Sequence, residues 1–198
     1  MQLHPCLAPR ISRRRVAPRR AFGLAAAVMV AALAPAAQAK PPLLDIVPQK
    51  ELRFGSFGVI SSGARVVSPA GAVTNVSIMP VPGSVTGPAE FTIVYDRGNE
   101  NKRAISLVIE VILLSAPPLN QSGLSATVSD FTTDLPGAAN LAPGQAVTFS
   151  IDNCITRQCA RSFKVGGRLQ VQRAYGGGAI SIPLPISANV VTIDGRRP

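Results

Sequence analysis

The sequence predicts an all-β protein, an antiparallel, Greek-key-like β-sandwich, and three observations carry that expectation. No segment sustains a helical period of apolar residues. Short alternating or wholly apolar runs recur instead, the pattern of half-buried and buried strands. These runs are cut throughout by Gly, Pro, Asn and Asp, the residues that punctuate strands with turns.

Taken in order, Lys40-Pro41-Pro42 opens extended, because proline disfavours helix at the residue before it. Leu43 to Val47 is either a first short strand or an extended arm able to complete a neighbour's sheet. Leu52 to Phe57 alternates, with Leu52, Phe54 and Ser56 on one face. Ala64 to Ser68 follows the break Ser61-Ser62-Gly63, and Asn75 to Met79 is closed by Pro80-Val81-Pro82-Gly83. Glu90 to Tyr95 puts Phe91, Ile93 and Tyr95 on one side, and Asp96-Arg97-Gly98-Asn99 reads as a solvated hairpin turn. Ile105 to Leu114 is β-branched, wholly apolar apart from Ser106 and Glu110, and too short for a membrane helix, so it reads as a buried strand.

In Leu124 to Thr132 the alternating face is Leu124, Ala126, Val128 and Asp130, so that Phe131 either needs a bulge or faces out. Ala146 to Ile151 puts Val147, Phe149 and Ile151 in phase. Gly166-Gly167, between two strand runs, marks a bulge or a close backbone approach. Gly176-Gly177-Gly178 reads as a flexible turn. Ile180 to Ile193 is broken by Pro183 and Pro185, which cannot donate ladder hydrogen bonds, so it reads as an edge or a kinked strand.

Ahead of these runs, Arg19 to Ala39 has the layout of a secretory signal peptide: arginines, an apolar run from Ala21 to Ala34, then Ala37-Gln38-Ala39. The expectation is a cleaved leader over 1–39 and one secreted domain over 40–198, in the periplasm or at the cell surface. The general secretory route is preferred to a twin-arginine one, because a cystine-bearing domain can then oxidise after crossing. No stable membrane span remains once the leader is cut.

Export changes the meaning of the charge. The chain has 20 basic and 10 acidic residues, but six of its arginines lie in the leader, leaving a domain of net charge +4. A nucleic-acid partner therefore loses its electrostatic support. The only histidine, His4, leaves with the leader, and the chain has no tryptophan. That excludes Ser-His-Asp and Cys-His chemistry in the domain, and any histidine zinc site. No cofactor is expected.

Several stretches together resemble a family. They are Leu52-Arg53-Phe54-Gly55-Ser56-Phe57, Val66-Val67-Ser68-Pro69-Ala70-Gly71, Pro88-Ala89-Glu90-Phe91-Thr92-Ile93, Val128-Ser129-Asp130-Phe131 and Val165-Gly166-Gly167-Arg168-Leu169-Gln170-Val171. In this order they are similar to the secreted bacterial domain-of-unknown-function family four-four-zero-two. The resemblance implies an exported, pilin-like β-sandwich and brings no catalytic residues with it. The chain departs from the pattern by inserting a Cys154–Cys159 loop and by its Gly-rich, proline-broken end.

Few candidate sites remain. Cys154 and Cys159, the only cysteines of the domain, are expected to form a disulfide clasping a hairpin between Ile151 and Arg161. Their spacing is not C-x-x-C, which argues against a redox pair. Asp96, Asn99, Glu100 and Asn101 gather oxygen donors as a binding loop, without the spacing of an EF-hand. Glu90 and Glu110 are the carboxylates a glycosidase would have to pair, but rim charges in apolar strands explain them better. Arg157, Arg161, Lys164, Arg168 and Arg173 make the late region basic, with no interleaved aromatics for nucleic-acid stacking. The functional expectation is a non-enzymatic structural or adhesive subunit that self-associates by edge-strand addition. The alternative is a monomeric module binding an unknown ligand through the Cys154–Cys159 or Asp96–Asn101 loop.

Overall fold

A computed structural model describes residues 39–99, 103–121, 124–172 and 176–194. The expected leader up to Gln38, the loop residues Glu100 and Asn101, Arg173 and the tail from Gly195 lie outside them. The described residues form eleven strands and no helix. These are β1 (Leu43–Lys50), β2 (Leu52–Val67), β3 (Val73–Pro80), β4 (Ala89–Asp96), β5 (Ile105–Leu113), β6 (Leu119–Gln121), β7 (Leu124–Thr133), β8 (Ala146–Cys154), β9 (Gln158–Gln172), β10 (Gly176–Ile182) and β11 (Ile186–Ile193).

All pairings are antiparallel. The larger sheet runs β1-β4-β9-β2-β10, with β3 added to β2 and with β7, carrying β6, added to β9; the smaller runs β11-β5-β8. Only β2–β3 and β6–β7 pair sequential strands, so every other pairing crosses over, as a Greek-key-like sandwich requires. The two sheets bury a common apolar core between them.

Alternation fixes which side chains enter that core. In β4, Phe91, Ile93 and Tyr95 point inward as expected, and Phe91 stacks on Phe163 of β9 with ring centroids 5.4 Å apart. In β5, every second residue from Ile105 to Leu113 is buried, and the strand lies between two neighbours. Phe131 is buried, and a register shift in β7 between Ser129 and Thr132 puts it there. The bulge takes Asp130 out to solvent, where its φ is +50°.

Several expectations are corrected. Ser56 is not on the core face. Gly55 adopts φ +67° beside a register shift of β2 against β10, and this flips the phase so that Phe54 and Phe57 both point inward. The break at Ser61-Ser62-Gly63 does not end a strand either. β2 continues for 16 residues, and its residues 60–63 bulge opposite the single residue Ser77 of β3. Gly176-Gly177-Gly178 is no turn: it pairs with Val59, Gly58 and Phe57 as the start of β10. The two prolines mark the crossover from β10 in one sheet to β11 in the other, and both are edge strands.

The stretches that carry the family resemblance meet in space. β9 exchanges β4 for β2 as its neighbour at Val165-Gly166-Gly167. A Cβ on Gly166 would lie 2.2 Å from the Val67 carbonyl oxygen and within 3 Å of Ser68 and Pro69 backbone. A Cβ on Gly167 would press on Leu52, Val128 and Phe131. The expected close backbone approach is therefore real, and with Ala89 paired to Val165 all five motifs meet at this one crossing.

Candidate functional site: the cystine corner and the uncharged edge

Two separate loops of the sequence come together at one corner of the sandwich. β8 belongs to the smaller sheet and β9 to the larger, so the Cys154–Cys159 disulfide, with Cα atoms 5.8 Å apart, spans the two sheets. It clasps no hairpin, contrary to expectation. The link from β4 to β5 crosses between the same two sheets, so the Asp96–Asn99 turn is not a hairpin turn either. Nor is it solvated throughout: Asp96 and Arg97 are buried, and Asn99 is exposed.

Backbone and side chain bind the loops to each other. Arg97 N–H donates to Arg157 O (2.9 Å), its Nη1 to Cys154 O (3.1 Å) and its Nη2 to Arg103 O (2.6 Å). Asp96 accepts from Lys40 Nζ at 2.8 Å and from Gly98 N–H at 2.9 Å, and Arg157 Nε lies 3.5 Å from its carboxylate. Gly98 is required here: its φ is +63°, and a Cβ would sit 2.0 Å from Lys40 O. On the far side, Arg103 Nη2 donates to Asp194 Oδ2 (2.9 Å), and Asp194 Oδ1 accepts from Ser106 N–H.

Between the strap Ala39–Pro42 and the chain around Arg97 and Arg103 lies a cleft of about 740 Å³. Lys40, Arg97 and Arg103 supply its cations; Tyr95, Ile105 and Ile193 supply apolar wall. Of the expected binding loop, Asp96 is committed to structural partners and Asn99 lines the cleft; Glu100 and Asn101 are outside the described residues. A cation at Asp96 would have to displace Lys40 and Arg157. Sequence reasoning missed Lys40, Arg97 and Arg103, whose roles come from contacts distant in the chain.

The Lys40 hydrogen bond, with help from Gly98 N–H, holds the Asp96 carboxyl far below the usual carboxylate range. A depressed folded-state pKa adds stability above the ordinary Asp value and loses it as pH falls toward the folded one. Acid should therefore loosen this corner once pH drops below about 4. In Asp96→Asn that part of the acid transition should be absent, as denaturant titrations between neutral and acid pH would show. Replacing both cysteines by serine should cost about 2 kcal/mol for the six-residue loop and leave the fold intact. Complete unfolding would mean that the corner depends on the disulfide more than chain entropy allows.

The other carboxylates do not form a pair. Glu90 alternates with buried Phe91 and Glu110 with buried Ile109, so they face outward from different sheets. Glu90 sits between Lys50 Nζ at 2.6 Å and Lys164 Nζ at 3.8 Å, and its pKa is lowered chiefly by the Lys50 hydrogen bond. The late basic residues are likewise dispersed: Arg157 meets Asp96, Lys164 meets Glu90, and Arg168 meets Asp130.

A second surface lies on β2 and β3. Between Arg53 and Glu90 the only charged residue is Arg65. It is buried at 3% exposure, its Nη1 donating to Phe54 O (2.6 Å) and its guanidinium 5.8 Å from the Phe57 ring centroid. Ile60 (78% exposed), Val76, Met79 (56%), Val81 and Val85 all stand in solvent on this segment. Met79 pairs with Gly58 and Val76 with Ala64, so both point to the face opposite the core-directed Val59–Ile78 pair. A dent of about 380 Å³ lies between Ile60 and the Ser77–Met79 stretch. β3 pairs only with β2, leaving its outer backbone edge open among the described residues.

The family model described as Domain of unknown function (DUF4402) matches residues 44–189, from β1 into β11. No curated protein and no solved structure matches the chain.

Proposed function

The chain belongs to the DUF4402 family, and from that premise we propose that it is an exported, non-enzymatic structural or adhesive subunit of pilin type. It works at the cell surface or in the periplasm, and its copies join by edge-strand addition. The observation that carries this reading is the edge at β3. An open edge offers a row of N–H and C=O groups to any added strand, and sandwich proteins normally blunt such edges with charge, proline or burial. β1 is guarded by Asp45, Pro48 and Lys50. β11 also lacks charge, but all its side chains except Asn189 are at least half-covered. β3 has no charge and displays Val76 and Met79 to solvent.

Electrostatics favours the same edge. Copies that each carry a net positive charge repel, and they approach most closely where no charge has to be desolvated. The arm at residues 40–48 is less suited to the role, because from Leu43 it is already paired with β4 of its own chain.

The test is the solution mass of the purified, oxidised protein over a wide concentration range. Assembly should grow with concentration. Placing lysines at Val76 and Met79, both solvent-exposed, should weaken it by about a hundredfold or more, since a buried unpaired charge costs about 2–5 kcal/mol. Val47→Lys on β1 should leave assembly unchanged. A protein monomeric throughout would remove the subunit reading and leave the corner cleft as its working surface.

A further inference from the structure

Among the described residues, no carboxylate pairs with the charge of Arg97. It is 4% exposed, and its side-chain partners among the described residues are two carbonyl oxygens. Its Nε is buried with no hydrogen-bond partner among the described residues. Two carboxylates described at this corner are occupied: Asp96 by Lys40, Arg157 and Gly98 N–H, and Asp194 by Arg103 and Ser106 N–H. A desolvated guanidinium without a counter-anion is costly, and carbonyl dipoles answer only part of that cost. Arg97 also lines the corner cleft, which opens to solvent and holds Lys40 and Arg103 as well.

We propose that this cleft binds a small organic carboxylate with an apolar body. The carboxylate supplies the missing anion at Arg97, between Lys40 and Arg103, and the body lies along Tyr95, Ile105 and Ile193. The geometry fits the class. Guanidinium groups favour carboxylates through paired, charge-assisted hydrogen bonds. A cleft of about 740 Å³ is the size that takes a ligand of drug-like dimensions. Bare inorganic anions would leave the apolar wall uncovered, and a neutral lipid would leave Arg97 unanswered. Such a carboxylate can be a free acyl chain or the C-terminus of a peptide ending in an apolar residue. The site is separate from the β3 edge, so this inference stands or falls independently of assembly.

The experiment uses the purified protein with its disulfide intact. The probes are octanoate, acetyl-leucyl-leucine with a free carboxyl, the same peptide as its amide, and octanol. Binding is read as a saturable rise in Tm and as a change at Tyr95, one of only two tyrosines in the chain. Octanoate or the free-acid peptide should give both signals. A response to octanoate alone identifies an acyl ligand, and a response to the peptide alone identifies a chain terminus. Arg103→Gln, a change at a side chain 79% exposed, should weaken binding about tenfold while leaving the unliganded Tm near its starting value. Ile193→Asp should abolish binding by setting a like charge against the ligand. Octanol or the amide binding as well as the acids, no saturable response to either acid, or full binding in both variants would overturn the proposal.

Discussion

Gly166→Ala should destabilise the protein by at least about 3 kcal/mol, beyond the usual overpacking range of about 1–3, because the added methyl meets backbone and not a movable side chain. The Val67 carbonyl oxygen would be 2.2 Å from the new Cβ, with Ser68 and Pro69 backbone within 3 Å. Relief requires the end of β2 to move away from β9, yet Val67 is itself paired with Gly167 and fully buried. Gly58→Ala is the matched control: it lies in the same sheet with nothing within 4 Å of its added Cβ. It should stay within about 1 kcal/mol of the parent. Urea unfolding followed by far-ultraviolet circular dichroism measures both. Equal stabilities for the two variants would show that β2 and β9 do not cross as described.

Phe163→Ala should cost about 3–5 kcal/mol, the range for deleting a fully buried aromatic side chain. Phe163 is inward-facing on β9, stacks on Phe91 of β4, and has almost no exposure. Removing it leaves a hole on the core side of the larger sheet that rigid strands cannot close. A domain of this size has about 5–15 kcal/mol of stability, so the variant should fold but stand close to its limit. Its urea midpoint should fall with the slope unchanged. Loss of less than about 1 kcal/mol would place this ring outside the core.

What was legible in the sequence was local. The alternation in Glu90–Tyr95 and the apolar run in Ile105–Leu113 depend only on the pleat, and both strands lie as read. Phe131 could be read as needing a bulge because its phase conflicts with Leu124 and Ala126, and the bulge exists. Ser56 was misplaced because one left-handed glycine, Gly55, reverses the phase for everything after it. The hairpin expected around Cys154–Cys159 failed for a different reason. Three residues between two strands look the same whether the chain folds back in one sheet or crosses to the other, and the choice rests on pairing with β5 and β4, far away in the chain.

The candidate site divides along the same line. Asp96 and the two cysteines could be nominated from residue type and spacing. Lys40, Arg97 and Arg103 could not, since their meaning comes from burial and from partners supplied by other strands. The uncharged run from Val66 to Ala89 is plain in the sequence. Its significance appears only when β3 is seen to be an edge with its apolar side chains outward.

The central claim, that β3 is the edge by which copies join, is tested most directly by amide hydrogen exchange as a function of protein concentration. A strand that gains a partner gains protection on its formerly open side. The prediction is that the amides of Val73 to Met79 exchange more slowly as concentration rises, that those of β1 do not change, and that lysines at Val76 and Met79 erase the effect. Exchange at β3 that stays constant while the mass of the particle grows would contradict it.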